Sequence, residues 1–326
     1  MLPTFSYVKP GTIGDAIREL STPGARIHAG GTDLLGCLRD RVLTATRLVS
    51  LNGLNELRGI SEQPDGGLRI GALATLAEVA SHPLIGARYH ALSAAAAAAA
   101  SPQLRHQGTI GGNLCQRPRC WYYRGDFHCA RKGGDTCYAK EGENQLHAIL
   151  GGDVCVMVHP SDTAPALMAH GASVRLIGPR GARTVGLDAF FVLPSKDHTR
   201  ETVVEPDELV ADLLLPAPPA GAVSTYRKLR ARGAWDFALA GAAVVVGLRG
   251  KTVQHARVVL SGVAPVPWRA AAAERELVGH ELSDGRIERA AQQATVGAAP
   301  LSDNAYKVSL ARGAVMEALD EVRAKG

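Results

Sequence analysis

Residues 29 to 35 read AGGTDLL and follow Arg26 to His28, a short run that suits a β-strand. Two glycines after a strand let the backbone turn tightly and come close to a ligand. The consecutive N–H groups of such a turn form a concave anion site. Thr32 adds a hydroxyl, and a helix starting beside it would aim its positive end at the same place. The stretch is neither G-x-G-x-x-G nor a P-loop, which excludes Rossmann and kinase-like readings. A second glycine pair, in TIGGN at Thr109 to Asn113, lies about eighty residues further on, again between a hydroxyl and an amide. Either stretch alone reads as an ordinary turn. Two in one domain suit a ligand with an extended diphosphate, and so a nucleotide cofactor.

Around these turns the pattern is mixed. Strands are expected at Tyr7–Val8, Arg26–His28, Arg47–Ser50 and Leu68–Ile70, with helices at 12–20, capped by Thr12, and at 73–81. Residues 91–101, ALSAAAAAAAS, hold seven consecutive alanines and predict a closely packed helix ending at Pro102. Further strands are expected at Val154–Val158 and Ser173–Ile177. Between them a helix at 163–170 is expected, with Asp162 as its cap and Gly171 in the left-handed region after it. PAPPAG, Pro216 to Gly221, reads as a linker. Beyond it come three strands (225–230, 237–248, 253–260) and then three helices (267–278, 284–294, 303–324). Strands followed by helices, without alternation, predict a separate α+β domain.

The 326 residues suit two or three domains, and the formal charge of +5 comes without any Lys/Arg block, so nucleic acid is not an expected partner. MLPTFSYVKP lacks the apolar centre of an export signal, and Ala238–Leu248 is interrupted by Gly241 and Gly247, so no membrane span is expected.

From Leu114 to about Gly152 no period is visible, and an unstructured loop of that size within a domain is usually functional or disordered. It contains CWYYRGDFHCARKGGDTC, residues 120–137. Eight, seven and seventeen residues separate Cys120, Cys129, Cys137 and Cys155. Structural zinc uses closer C-x(2–4)-C pairs, and ferredoxin spacings are absent too. Four thiolates converging from long loops can still hold an iron–sulfur cubane; a zinc site and a set of free thiols are the alternatives. Arg117, Arg119, Arg124, Arg131 and Lys132 would offset the charge of an anionic cluster. Gly133 and Gly134 permit the turn before Cys137, and Trp121, Tyr122 and Tyr123 would exclude water. Cys115 rivals Cys155 as fourth ligand, while Cys37 reads as a small core residue. His28, His106, His128 and His147 have no evident carboxylate or serine partner, and read as surface or core residues.

AGGTDLL, TIGGN, HPSDTAPALMAHGA, TYRKLRARGAWDFA and GVAPVPWRAAAAERELVG occur in that order along the chain. The succession resembles the FAD-binding medium subunit of the molybdenum hydroxylases, the xanthine dehydrogenase and carbon monoxide dehydrogenase family, over nearly the whole length. The resemblance implies an α+β fold. A two-lobed FAD domain of the vanillyl-alcohol-oxidase type would occupy 1–216, with a small lobe at about 1–55. A C-terminal domain with a three-stranded sheet and helices would occupy 222–326. It implies FAD held by Arg26, Ile27, His28, Ala29, Gly30, Gly31, Thr32, Asp33 and Leu34. Thr109, Gly112 and Asn113 would hold it from the other side. Asp162 would approach the isoalloxazine edge, Val210 would touch the ring, and Lys228 would lie near it. The cysteine-bearing insertion, about 114–155, resembles the subgroup with an extra [4Fe–4S] cluster, closest to the periplasmic aldehyde oxidoreductases. That likeness favours Cys120, Cys129, Cys137 and Cys155 as ligands. A 4-hydroxybenzoyl-CoA reductase would have its last cysteine where Leu146 stands. Implied partners are a large molybdenum-cofactor subunit and a small [2Fe–2S] subunit. The setting would be the periplasm, reached through a partner's signal, or the cytoplasm. A stand-alone flavin oxidase and a xanthine dehydrogenase-like enzyme are the other readings.

Overall fold

The structure is a computed structural model and describes residues 2–326. Three sheets follow one another along the chain. The first comprises β1 (Ser6–Val8), β2 (Ala25–His28) and β3 (Arg47–Ser50) in the order β1-β3-β2, all parallel. Parallel neighbours need crossovers, which α1 (Ile13–Leu20) and α2 (Leu34–Arg39) provide. Thr12 caps α1, its Oγ1 accepting from the Asp15 N–H at 3.1 Å. Ala16, Leu20 and Val49 pack with Leu209 and Ala211 of a later strand, which fixes the small lobe against the next sheet.

That second sheet has the order β4-β5-β8-β6-β7, from β4 (Ile60–Glu62), β5 (Leu68–Gly71), β6 (Ser173–Gly178), β7 (Gly181–Gly186) and β8 (Leu209–Leu215), all antiparallel. Its helices are α3 (Leu76–Ser81), α4 (Pro83–Arg88), α5 (His90–Ala98), α6 (Pro102–Gln107), α7 (Ile110–Leu114), α8 (Trp121–Arg124), α9 (Thr163–Ala169) and α10 (Leu187–Phe190). The expected helix over 73–81 starts only at Leu76, where Thr75 and Glu78 form a reciprocal capping box.

The alanine-rich segment departs from expectation in one respect. Helix α5 stops at Ala98, Ala100 turns left-handed (φ 47°), and Ser101 caps a new helix in which Pro102 occupies the first turn. Proline lacks the N–H that a first turn leaves unpaired, so it opens α6 instead of closing α5. The small side chains do allow close approach: the Ala91 N–H reaches Ser224 Oγ at 3.1 Å.

The third sheet runs β12-β11-β10-β9, from β9 (Ala222–Leu229), β10 (Ala240–Arg249), β11 (Thr252–Ser261) and β12 (Trp268–Arg269), backed by α11 (Ala271–Leu277), α12 (Asp284–Ala294) and α13 (Tyr306–Lys325). The sheet therefore has four strands, not three. Trp268 and Arg269, expected to begin a helix, pair with Leu260 and Val259 before α11 starts. The strand expected at Val154–Val158 is absent: Val156 accepts from Ala148 (2.9 Å) and His159 donates to Ala264 (3.0 Å), single bonds to two loops in place of a ladder. Gly171 is left-handed (φ 70°), as expected. Among the described residues no helix is long and apolar enough to cross a membrane.

Candidate functional site

The two glycine turns meet. Gly31 turns left-handed (φ 71°), and a Cβ at Gly30 would lie 2.0 Å from the Gln107 carbonyl oxygen. Gln107 Nε2 in turn donates to the Gly30 carbonyl at 3.2 Å. Across the gap, Thr109 caps α7 through the Gly112 N–H at 3.2 Å. Gly111 packs on Ala72, where a Cβ would come within 2.9 Å. Between the turns lies a cleft of about 500 Å³.

Arg26, Ile27 and the run from Ala29 to Leu34 line this cleft from one side, Thr109 and Gly112 from another, and Val210 of β8 from a third. Arg117, Arg200, Glu201, Glu205 and Glu208 also line it, and sequence reasoning had not found them as cleft residues. The last four follow α10 in a segment with no motif, and Arg117 had been assigned to the cysteines. Asp33 faces the insertion as well as the cleft. Its carboxylate accepts from the Arg117 N–H (2.7 Å), Arg124 (2.8 Å) and Arg119 (2.9 Å). The side chains of Arg119 and Arg124, expected around the cysteines, thus serve Asp33, which sits at the start of α2, and the Arg117 guanidinium pairs with Glu201 at 3.0 Å.

Four expected residues lie outside the cleft. His28 sets its ring edge-on to Tyr7, centroids 5.7 Å apart, and burial lowers its pKa. Asn113 Oδ1 accepts from Ser161 and Thr163, each at 2.6 Å, and ties α7 to α9. Asp162 does not cap α9; Ser161 does, its Oγ accepting from the Ala164 N–H at 3.0 Å. Asp162 is free for other partners because its neighbour takes that role. It accepts from Tyr226 Oη and Lys228 Nζ, both at 2.8 Å, and both side chains of the ion pair are almost fully buried. Burial raises the Asp162 pKa, and Lys228 opposes the shift without cancelling it. Asp162 borders a second cavity of about 280 Å³, walled by Trp121, His147, Ser161, Phe237 and Leu239 among others.

The third place is the insertion. Cys120, Cys129, Cys137 and Cys155 line one small cavity, although Cys155 is 35 residues from Cys120 along the chain. The free space between them is about 10 Å³. Cys155 donates to Cys137, which draws the Cys137 thiol down and pushes Cys155 up. Burial raises Cys120 to about 11. Cys115 lines the glycine cleft instead, and Cys37 is fully buried. Tyr122, Tyr123, Arg131 and His147 share the wall, while Trp121 sits at the second cavity. Of the five nearby cations only Arg131 lines the thiol cavity; Lys132 turns to the Gly125 carbonyl at 2.6 Å. Arg131 also bonds Glu201 and donates to the His198 carbonyl at 2.6 Å. Gly133 is left-handed (φ 94°), and a Cβ at Gly134 would meet the His128 carbonyl at 2.0 Å. Among the described residues no three His, Cys, Asp or Glu side chains stand as a group that could hold a single metal ion.

Residues 3–218 match the FAD-binding domain in molybdopterin dehydrogenase, and residues 224–322 match the CO dehydrogenase flavoprotein C-terminal domain. This chain belongs to the FAD-binding medium subunits of the molybdenum hydroxylases. It is an oxidoreductase flavoprotein subunit. One relative, the FAD-binding subunit PaoB of an aldehyde oxidoreductase from Escherichia coli K12, is 37% identical over 326 residues, covering 98% of this chain and 99% of its own. The carbon monoxide dehydrogenase medium chain of Hydrogenophaga pseudoflava is 31% identical over 330 residues, covering 99% and 98%. Among solved structures, the carbon monoxide dehydrogenase of that organism superposes with a TM-score of 0.79, at 31% identity over 100% of this chain and 99% of the other. Quinoline 2-oxidoreductase from Pseudomonas putida 86 superposes with a TM-score of 0.76, at 26% identity over 100% and 99%. The glycine cleft lies within the part of the chain that matches the FAD-binding domain.

Proposed function

We propose that this subunit carries FAD and a [4Fe–4S] cluster in a molybdenum-containing aldehyde oxidoreductase, with a large molybdenum-cofactor subunit and a small [2Fe–2S] subunit as partners. The observation that carries the cluster is the gathering of Cys120, Cys129, Cys137 and Cys155 on one cavity, with Cys115 elsewhere. The aldehyde reading is supported by the 37% identity with PaoB along the whole chain. Leu146 lies on the second cavity and not among the thiols, which speaks against a 4-hydroxybenzoyl-CoA reductase arrangement.

The residues suit these groups. Backbone N–H groups of the Gly30–Gly31 turn and of Gly112 would hold the diphosphate, with Thr32 and Thr109 beside them. Asp162 and Lys228 would stand at the isoalloxazine end, beside the second cavity, whose wall includes Trp121, Phe237 and Leu239. The four thiols, deprotonated, would hold the cluster. When bound, FAD exchanges electrons singly or in pairs and a cubane stores one, so the subunit can join one-electron centres to a two-electron acceptor. Tyr122 and Tyr123 keep water from the thiols, and Arg131 adds a fixed positive charge beside them. Zinc is the alternative occupant of four thiolates, and among the described residues no three of these side chains stand as a group that could hold a single metal ion.

Iron, zinc and flavin analysis of anaerobically purified protein tests the reading. About four irons and one FAD per chain are expected. Zinc in place of iron, or no flavin, overturns it.

A further inference from the structure

His147 forms part of two walls at once, that of the thiol cavity and that of the cavity beside Asp162. Its Nε2 lies 3.2 Å from Cys120 Sγ. Its backbone is clamped from behind by α13 and the turn before it. Lys307 Nζ donates to the His147 carbonyl at 3.0 Å and the Leu146 carbonyl at 3.1 Å, and Asn304 Nδ2 donates to His147 at 3.2 Å and Ala148 at 3.3 Å. The ring stands edge-on to Trp121, centroids 5.2 Å apart at 82°. Its Nδ1 is buried beside the Asn144 backbone without a well-aligned bond, and the contact with sulfur is the ring's one hydrogen-bonding contact to a side chain. A clamped backbone, a wedged ring and that one side-chain contact together aim Nε2 at one cysteine.

We propose that His147 is a positioning residue that donates a hydrogen bond to the Cys120 sulfur and raises the reduction potential of the iron–sulfur centre on the side facing the Asp162 cavity. The inference rests on the cluster reading above and goes beyond it by naming the residue that tunes the centre. Reduction of a bound cluster would add one electron, with no bond formed or broken and no proton moved. The added negative charge would spread onto the ligand sulfurs, so an N–H aimed at one of them would stabilise the reduced form more than the oxidised form. Removing the donor therefore lowers the potential.

The test uses the anaerobically purified full chain with any subunits that co-purify, titrated with dithionite and mediators and followed by EPR. His147→Phe keeps a ring and removes the donor; His147→Gln keeps an N–H near the same place. In His147→Phe, the ratio of reduced to oxidised cluster at the parent's midpoint potential is expected to fall about tenfold, which is 59 mV for a one-electron couple. His147→Gln is expected to recover most of that fall, and FAD content is unchanged in both. A cluster that assembles in the Gln variant but not in the Phe variant also supports the proposal. It is overturned if both variants titrate like the parent, if both shift equally, or if neither assembles a cluster. A parent chain that contains no iron is a different result, and it sinks the cluster reading itself.

Discussion

Replacing Lys228 with alanine tests the buried pair on which the second cavity is built. Lys228 Nζ lies 2.8 Å from Asp162, and the two side chains are 3% and 6% exposed. Without the lysine, Asp162 keeps the Tyr226 hydroxyl as its side-chain partner and the more distant charge of Arg230. Removing one partner of a buried pair costs about 3–5 kcal/mol, because the other charge stays buried. The lower figure applies here, since Tyr226 remains. The loss depends on pH with a definite sign. Burial already puts the folded pKa of Asp162 above its unfolded value. A carboxyl raised in this way contributes stability at acid pH and loses it as pH rises through the folded pKa. Deleting Lys228 raises that pKa further, so Lys228→Ala should lose about 3 kcal/mol at pH 8 and clearly less at pH 5. Urea denaturation followed by far-UV circular dichroism, at one fixed FAD concentration, reads this directly. The double change Lys228→Met/Asp162→Leu should recover at least half of the loss, since no charge is stranded. A single variant within about 1 kcal/mol of the parent at pH 8, or a loss as large at pH 5, would refute the reasoning.

Three further outcomes are expected. Gly30→Ala places a Cβ 2.0 Å from the Gln107 carbonyl and should weaken FAD binding about tenfold or more, read by calorimetry; Gly186→Ala, with open space around the position, should leave it unchanged. Cys155→Ser should abolish the broad visible absorbance of the cluster while most of the FAD remains, and Cys115→Ser should preserve both, checked by absorbance and iron content. Arg131→Leu strands Glu201 beside the glycine cleft, with Arg117 at 3.0 Å as its remaining partner, and should lower cluster occupancy and FAD affinity together. Unchanged FAD affinity would show that the pair does not couple the two places.

What could be read along the chain was what is local. Thr12 and the Gly171 and Gly133 turns announce themselves, because caps and left-handed residues depend on a few neighbours. The glycine pairs identified most of the cleft for the same reason. What escaped was set by distant partners. Asp162 looked like a cap, yet its partners Tyr226 and Lys228 come from the third sheet, and Ser161 takes the capping role. The arginines of the insertion looked like cations for the cysteines, yet Arg119 and Arg124 pair with Asp33, more than eighty residues earlier, and Arg117 pairs with Glu201, equally far along the chain in the other direction. Val154–Val158 has the composition of a strand, but no neighbouring strand is there to pair with it. Glu201 and its neighbours could not be found at all, because nothing in their own segment signals that the fold brings them to the glycine cleft.

Lys307 gives the architecture an order in time. The segment around Leu146 and His147 is held by a side chain about 160 positions later, on the last helix. On the ribosome the cysteines emerge long before that clamp exists, so the thiol pocket cannot take its final shape until Lys307 has been made. A cluster bound there, as proposed above, would be seated only after that clamp closes.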